Sequence, residues 1–309
     1  KRISDVRLLR SHQFPEDGGP LAHNVRPDSY LEINNFYTAT VYEKGAELVR
    51  MIYRLMGADR FRKGMDVYFD LHDGRAATVE DFIDSLAQGG DFNLNQFKLW
   101  YGQAGTPEVL ASGKYDAGAK SYTITLNQIT QPTPGQPQKH LLHMPVEIGL
   151  IGPDGQDIAL QLEGEERAGD TSRVFSFNER ETTYRFVNVD QKPVPSFMRG
   201  FTAPVKLAAN LNERDWAFLM AHDSDAFNRW EACQQLTASK EEGESWNRDD
   251  VRLLVGGGSF AVIDPLIKAW RKLQPMREVA PTIPSELLVQ VATLLEQQVV
   301  GYIDEVRQA

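Results

Sequence analysis

The spacing of hydrophobic positions changes twice along the chain. From residue 35 to about residue 104 these positions recur with a helical period. In one stretch the steps are four, three, four and three, at Val41, Gly45, Leu48, Ile52 and Leu55. Such steps place side chains on one face of a helix with 3.6 residues per turn. The pattern therefore predicts an amphipathic helix, which "NNFYTATVYEK" leads into.

Further helices are predicted in the same region. The stretch "ADRFRKGMDVYFDLHDG" repeats the helical pattern and stops at Gly74, as glycine commonly ends a helix. Thr78 followed by Asp81 is a capping signal for a helix in "VEDFIDSLAQ". Asn93 or Asn95 is a candidate start for "QFKLWYGQ".

The first 30 residues have a different composition. They contain few apolar positions and several helix-breaking residues: Pro15, Gly18, Gly19, Pro20 and Pro27. Clusters of glycine and proline mark loops. We therefore expect residues 1–30 to form an extended surface loop.

After Thr106 and Pro107 the period becomes that of strands. The stretches "KSYTITLNQI", "HMPVEIGLIG", "RVFSFNE" and "TYRFVNV" are short, β-branched and aromatic, and turn signals separate them. Residues from about 106 to 205 are therefore predicted to form antiparallel strands in a small β-sandwich. The helical period returns in "ERDWAFLMAH", "AFNRWEACQQLTA" and a final helix, "PSELLVQVATLLEQQVVGYIDEVRQ".

This order of helices, sheet and helices predicts a multidomain α+β chain. The length of 309 residues exceeds the usual span of one hydrophobic core. We predict domains at 1–105, 106–207 and 208–309, the last of them all-α. Trp100 and Tyr101 precede the link into the sheet, and we expect them to pack at the interface between domains.

Composition and charge narrow the class of partner. Hydrophobic residues make up 41% and charged residues 25%, as in ordinary globular proteins. The net charge of −10 argues against a surface built for nucleic acid or anionic membranes. The single cysteine, Cys233, excludes an intrachain disulfide, so a cytoplasmic location is the simpler prediction, with a periplasmic or secreted one left open. The sequence does not specify an oligomeric state.

Most catalytic motifs are missing from the sequence. The six histidines, at 12, 23, 72, 140, 143 and 222, do not form the H-E-x-x-H of zinc hydrolases. His140 and His143 flank a predicted strand, so we interpret them as ordinary surface or strand-end histidines. No G-x-S-x-G elbow or Walker loop occurs, and we interpret "VGGGSF" at 255–260 as a flexible turn.

Two tyrosines and a glutamate are the remaining candidates for chemistry. Tyr37, Tyr42 and Glu43 lie at the front of the first predicted helix. A tyrosine hydroxyl normally keeps its proton at neutral pH and can donate to the oxyanion that forms when water adds to a peptide carbonyl. Packing of these aromatic residues in the core or against the helix end is the alternative, which the pattern leaves open.

A resemblance to a known family adds to this interpretation. The stretch from "QFPEDGGPLAHNVRPDS" through "NNFYTATVYEKGAELVRMIYRLMG" to "FKLWYGQAGTPEV" resembles the bacterial aminopeptidase N type of zinc metallo-aminopeptidase, a gluzincin. The similarity continues in "PVPSFMRGFTAPVKL" and "FNRWEACQQL" and fades beyond about residue 237. It implies that residues 1–105 are the helical half of a thermolysin-like catalytic domain, and that the substrates are peptides with a free N-terminus.

The resemblance also implies roles for residues. Tyr42 matches the tyrosine that stabilises the tetrahedral intermediate opposite the zinc, and Tyr37 and Glu43 match residues that line the substrate pocket. The family's zinc ligands are the H-E-x-x-H histidines and a later glutamate, which this sequence lacks, so no metal ligand is assigned and we expect the isolated chain to be inactive. The second hypothesis is a non-catalytic folded fragment that acts as a protein-interaction module.

Overall fold

The computed structural model describes residues 1–29 and 32–238. These form two compact units, one of residues 1–152 and 158–210, the other of residues 153–157 and the described residues from 211 onward. The predicted final helix and the "VGGGSF" turn lie outside the described residues.

The N-terminal segment is helical, so the loop prediction is wrong for residues 2–17. Val6, Leu9 and Phe14 are buried at steps of three and five, which anchors the segment in the core. Pro15 lies within one continuous helical run, two residues after the segment's π-helix, and the backbone of Gln13 and Phe14 before it is helical. The segment contains α1 (Arg2–Leu8), a π-helix (Leu9–Gln13) and α2 (Phe14–Asp17).

The other helices of the first unit follow the sequence pattern closely. The capping box is confirmed, because the Asp81 N–H donates to Thr78 Oγ1 at 3.1 Å and the Thr78 N–H donates to Asp81 Oδ2 at 2.8 Å. Gly74 has φ +67° just beyond the end of α4, which confirms it as a helix stop. The stretch "QFKLWYGQ" forms only a four-residue helix. The bounds are α3 (Gly45–Met56), α4 (Ala58–His72), α5 (Val79–Gly90) and α6 (Leu99–Gly102).

The buried face of α3 is rotated from the predicted one. Val41, Gly45 and Leu55 are only half-buried, whereas Leu48 and Ile52 are buried as predicted. A π-helix (Thr40–Lys44) precedes α3. The face shifts toward Lys44 and Glu47, whose charged side chains are buried because they pair with Asp17 and Arg2. The buried set is therefore Thr40, Lys44, Glu47, Leu48, Met51, Ile52 and Met56.

Seven strands form the predicted β-sandwich. One sheet has the order β5-β2-β1-β7 and the other β4-β3-β6. All pairings are antiparallel except that of β1 with β7, which is parallel and pairs Val109 with Leu207. Ile124, Leu126, Val146 and Ile148 are fully buried between the sheets. The strands are β1 (Glu108–Asp116), β2 (Ser121–Ile129), β3 (Met144–Ile151), β4 (Ser172–Phe177), β5 (Glu181–Phe186), β6 (Val194–Phe197) and β7 (Lys206–Ala209).

Direct contacts join the helices of the first unit to its sandwich. Trp100 is fully buried, and its Nε1–H donates to the carbonyl of His143 at 2.8 Å, as expected for a residue packed between the two layers. Arg50 donates to the carbonyls of Gly200 and Phe201, each at 2.9 Å. The turn after β6 is therefore held by the helix that follows the π-helix.

The described residues of the second unit contain two of the three helices predicted there. They are α7 (Glu213–His222) and α8 (Ala226–Ala238). Asn212 and Asp215 form a capping box at the start of α7. In the part of the chain that the structure describes, no helix combines the length and apolarity needed to cross a membrane.

Candidate active site

The π-helix Thr40–Lys44 carries two of the three candidate residues. The Gly45 N–H donates to the Thr40 carbonyl five residues back, which defines the wider turn. Thr38 begins the segment, since its Oγ1 accepts from the Val41 N–H and its carbonyl from the Tyr42 N–H, both at 3.1 Å. Single π-turns within helices are rare and occur frequently at functional sites.

Tyr37 and Tyr42 lie side by side on the surface of the first unit. Their rings stack with centroids 6.0 Å apart and planes inclined by 29°. The exposed fraction is 60% for Tyr37 and 56% for Tyr42, so neither ring belongs to the core. Glu43 follows on the same π-helix and is half-exposed. The structure thus brings the two tyrosines into contact and leaves Glu43 beside them in the chain.

The opposite side of the π-helix contains a buried ion pair. Lys44 Nζ lies 2.7 Å from Asp17 Oδ2, and the two side chains are 1% and 0% exposed. Lys44 also donates to the Gly105 carbonyl at 2.9 Å, while Asp17 accepts from the Gly105 N–H at 3.2 Å and from Thr106 Oγ1 at 2.9 Å. The pair therefore connects the π-helix to α2 and to the start of the link into the sandwich.

The electrostatics of Asp17 follow from these contacts. Burial raises the pKa of the Asp17 carboxyl, but the charge of Lys44 and hydrogen bonds from Lys44, Gln13 and Thr106 outweigh it. The net result is a pKa lowered from the ordinary value, so Asp17 is ionised at neutral pH.

Glu16 and His23 contact the other end of the π-helix. Glu16 Oε2 accepts from the Thr40 N–H at 3.3 Å. His23 Nε2 lies 2.8 Å from Thr38 Oγ1 and His23 Nδ1 2.9 Å from the Leu21 carbonyl. Because a carbonyl only accepts, His23 Nδ1 carries a proton and donates to the Leu21 carbonyl.

These supporting residues are not predicted from the sequence. One signal was available, since Lys44 precedes Leu48 by four positions and Met51 by seven, which places it on the buried face of the helix. A lysine on such a face requires a buried carboxylate partner. Nothing local identifies that partner as Asp17, 27 residues earlier.

His143 lies directly before the first residue of β3, which agrees with the strand-end alternative of the sequence interpretation. It is buried and not on the surface, with Nε2 2.6 Å from Ser176 Oγ and its ring stacked on Phe92 at 6.3 Å. Burial lowers the pKa of His143, so the neutral ring is favoured. His143 is buried because the loop before β3 packs against the stretch that precedes α6, where Gln96 donates to the Leu141 carbonyl.

The described residues do not fit a zinc site. Within residues 1–29 and 32–238 there is no group of three or more His, Cys, Asp or Glu side chains arranged to hold a metal ion. His23 and His143 are engaged with Thr38 and Ser176 respectively. Three or four such ligands are needed for zinc in a protein.

Family models match successive parts of the chain. The model for the peptidase family M1 domain matches residues 8–101. A domain of unknown function with an Ig-like fold matches residues 105–210, and one with ARM repeats matches residues 213–280. The last match continues past residue 237, where the resemblance seen in the sequence fades.

Individual relatives cover most of the chain. It is 43% identical over 238 residues to aminopeptidase N of Escherichia coli and 49% identical over 236 residues to that of Caulobacter vibrioides, which is 77% and 76% of this chain. The chain spans only 27% and 26% of the length of those relatives.

A solved structure supports the fold. The crystal structure of Legionella pneumophila aminopeptidase A in complex with aspartic acid matches 80% of this chain and 29% of its own, with a TM-score of 0.63 and 24% identity. The fold class predicted from the sequence is therefore confirmed, with an M1 peptidase part, an Ig-like sandwich and a helical region in succession. Together the matches confirm the resemblance to the aminopeptidase N type of peptidase, and the chain belongs to peptidase family M1.

Proposed function

We propose that this chain is part of a zinc-dependent aminopeptidase that removes N-terminal amino acids from peptides, and that Tyr42 stabilises the tetrahedral intermediate. The observation that carries the proposal is the exposed, stacked Tyr37–Tyr42 pair on a π-helix in a chain of family M1. A surface hydroxyl is free to meet a substrate, whereas a core tyrosine is not.

The role of Tyr42 is that of a hydrogen-bond donor. As water adds to the peptide carbonyl, negative charge develops on the carbonyl oxygen, and a positioned O–H lowers the barrier by binding that charge. The π-helix supplies the positioning, because backbone and side-chain hydrogen bonds fix the residues on both sides of Tyr42.

Tyr37 and Glu43 act as substrate contacts in this proposal. A protonated N-terminal amine is a cation, and the half-exposed carboxylate of Glu43 is a suitable anionic partner for it. The exposed ring of Tyr37 offers an apolar face for the first side chain of the peptide.

In the complete enzyme a zinc ion would be held by ligands other than the described residues, and it would supply Lewis-acid chemistry. The isolated chain is then inactive, because the described residues do not fit a zinc site. We place the activity in the cytoplasm, since a chain whose single cysteine is Cys233 needs no oxidising compartment.

Replacing Tyr42 tests the proposal directly. In the complete enzyme, Tyr42→Phe should lower kcat by about 10² to 10³ with a smaller change in KM, because a donor that acts in the transition state is lost. The control is Tyr53→Phe, an exposed tyrosine on α3 outside the stacked pair. A Tyr42→Phe enzyme with wild-type kcat would overturn the role of Tyr42.

A further inference from the structure

Two consecutive carboxylates contact opposite ends of the π-helix. Glu16 accepts from the N–H of Thr40, its first residue, and Asp17 accepts from the ammonium of Lys44, its last. Both carboxylates lie on α2, so the distance between their backbones is fixed. We propose that Glu16 and Asp17 are positioning residues: they bind the two ends of the π-helix and thereby fix the orientation of Tyr42. This inference rests on the proposed function.

At the buried end of the π-helix, several interactions hold the Lys44 side chain in place. Lys44 Nζ is held by Asp17 and by the Gly105 carbonyl, and it lies 5.9 Å from the centre of the Trp100 ring. Asp17 is held in turn by the Gly105 N–H and Thr106 Oγ1. These five interactions fix the backbone two residues after Tyr42.

Stability alone does not explain an ion pair at this position. Replacing a buried ion pair by apolar residues of similar volume is often neutral or stabilising, since two charges must be desolvated. In some proteins a buried ion pair instead specifies a single register, because its charges satisfy each other in one arrangement. A fixed register is what a donor aimed at a transition state requires.

At the exposed end of the π-helix, His23 contributes hydrogen bonds in addition to that of Glu16. The hydrogen-bond chain runs from the Leu21 carbonyl through His23 and Thr38 Oγ1 to the Val41 N–H. Glu16 Oε1 lies 3.5 Å from His23 Nε2 while Oε2 accepts from Thr40. The segment from Glu16 to His23 therefore holds the backbone immediately before Tyr42.

A variant that removes both buried charges separates positioning from stability. In the complete enzyme, Asp17→Asn combined with Lys44→Met keeps an oxygen that accepts from the Gly105 N–H, provides an amide N–H that can donate to Thr106 Oγ1, and buries no lone charge. We expect it to remain folded and to lose about 10- to 100-fold in kcat with a smaller change in KM, because a displacement of about 1 Å costs that much. A folded double variant with wild-type kcat would show a purely structural pair and overturn the inference.

Graded variants at Glu16 give an independent readout. Glu16→Gln retains an oxygen that accepts from the Thr40 N–H, whereas Glu16→Ala removes it, so Glu16→Gln should keep clearly more of the kcat. Equal kcat values for the two would contradict a positioning role for Glu16, because the acceptor would then be irrelevant.

Amide hydrogen exchange of the chain itself tests whether Glu16 and Asp17 stabilise the π-helix, and it needs no activity assay. We expect faster exchange at residues 40–45 in the double variant than in wild type, and unchanged exchange there in Lys98→Met, which removes the half-exposed ion pair with Asp84. Unchanged exchange in the double variant overturns the inference.

If Tyr42→Phe alone retains wild-type kcat, the proposed function fails and the inference fails with it. If Tyr42→Phe loses kcat while the double variant does not, only the inference fails.

Discussion

On one side of the π-helix Thr40–Lys44 the Tyr42 ring is 56% exposed, whereas on the other the Lys44 side chain is 1% exposed. The exposed side has a ring stacked on Tyr37 at the surface. The buried side has an ion pair whose partners satisfy each other and the neighbouring backbone. The difference indicates that the two sides have different roles: the buried side fixes the π-helix in place, and the exposed side is accessible to a ligand.

Such a division is physically reasonable for a hydrogen-bond donor. A hydroxyl bound to its own protein must break that bond before it can bind a developing charge, whereas a preorganised exposed hydroxyl need not. The cost of ordering the donor is then met by interactions elsewhere, here at Asp17 and Lys44. The comparison predicts that stability and activity respond differently to substitutions on the two sides.

The largest effect on stability is expected from Lys44→Met alone. It leaves the Asp17 carboxylate buried without its cation, and breaking a buried pair in this way typically costs about 3 to 5 kcal/mol. Urea unfolding of the chain measures the change. Lys98→Met is the matched control and should cost less than about 1 kcal/mol, because its partner Asp84 is largely exposed. Similar losses for the two variants would break the comparison.

Acid should weaken the buried side selectively. The pKa of Asp17 is lower in the folded chain than in the unfolded one, where it is about 3.9. Ionised Asp17 therefore contributes stability that is present above the unfolded pKa and is lost as the pH falls through the folded pKa.

The measurement is the free energy of unfolding from about pH 6 to about pH 3. Wild type should lose more stability over this range than the double variant Asp17→Asn with Lys44→Met, which has no carboxyl at position 17. The combination of Asp84→Asn with Lys98→Met should retain the wild-type acid dependence. An identical slope in wild type and in the position-17 variant would contradict a paired, ionised Asp17.

The elements with strong local signals are the ones that the sequence predicts. The helices α4, α5, α7 and α8 and the sandwich were predicted from period, glycine stops and caps, and the structure has them. The helical residues 2–17 were missed because Pro15 and the following glycines dominate the composition there, whereas burial of Val6 and Leu9 decides the fold. Tertiary packing overrides local propensity in such a segment.

The site divides in the same way. Tyr37, Tyr42 and Glu43 lie within seven residues of one another, so a local sequence motif is enough to identify them. The pairing of Lys44 with Asp17, and of β7 with β1, joins residues far apart in the chain, which no local period encodes. The π-helix also has no distinctive sequence signal here, and the shift of the buried face toward Lys44 and Glu47 depends on distant partners, Asp17 and Arg2.

The smallest effect on stability is expected from Tyr42→Phe. The substitution removes one hydroxyl from a ring that is more than half exposed and leaves the ring itself stacked on Tyr37. Surface substitutions of this kind change stability by no more than about 0.5 kcal/mol. Urea unfolding of the chain, compared directly with Lys44→Met, is the measurement. A loss above about 1 kcal/mol would mean that the Tyr42 hydroxyl has an internal partner, since only a satisfied bond is costly to remove. The exposed side would then also contribute to fixation, and the division between the two sides of the π-helix would not hold.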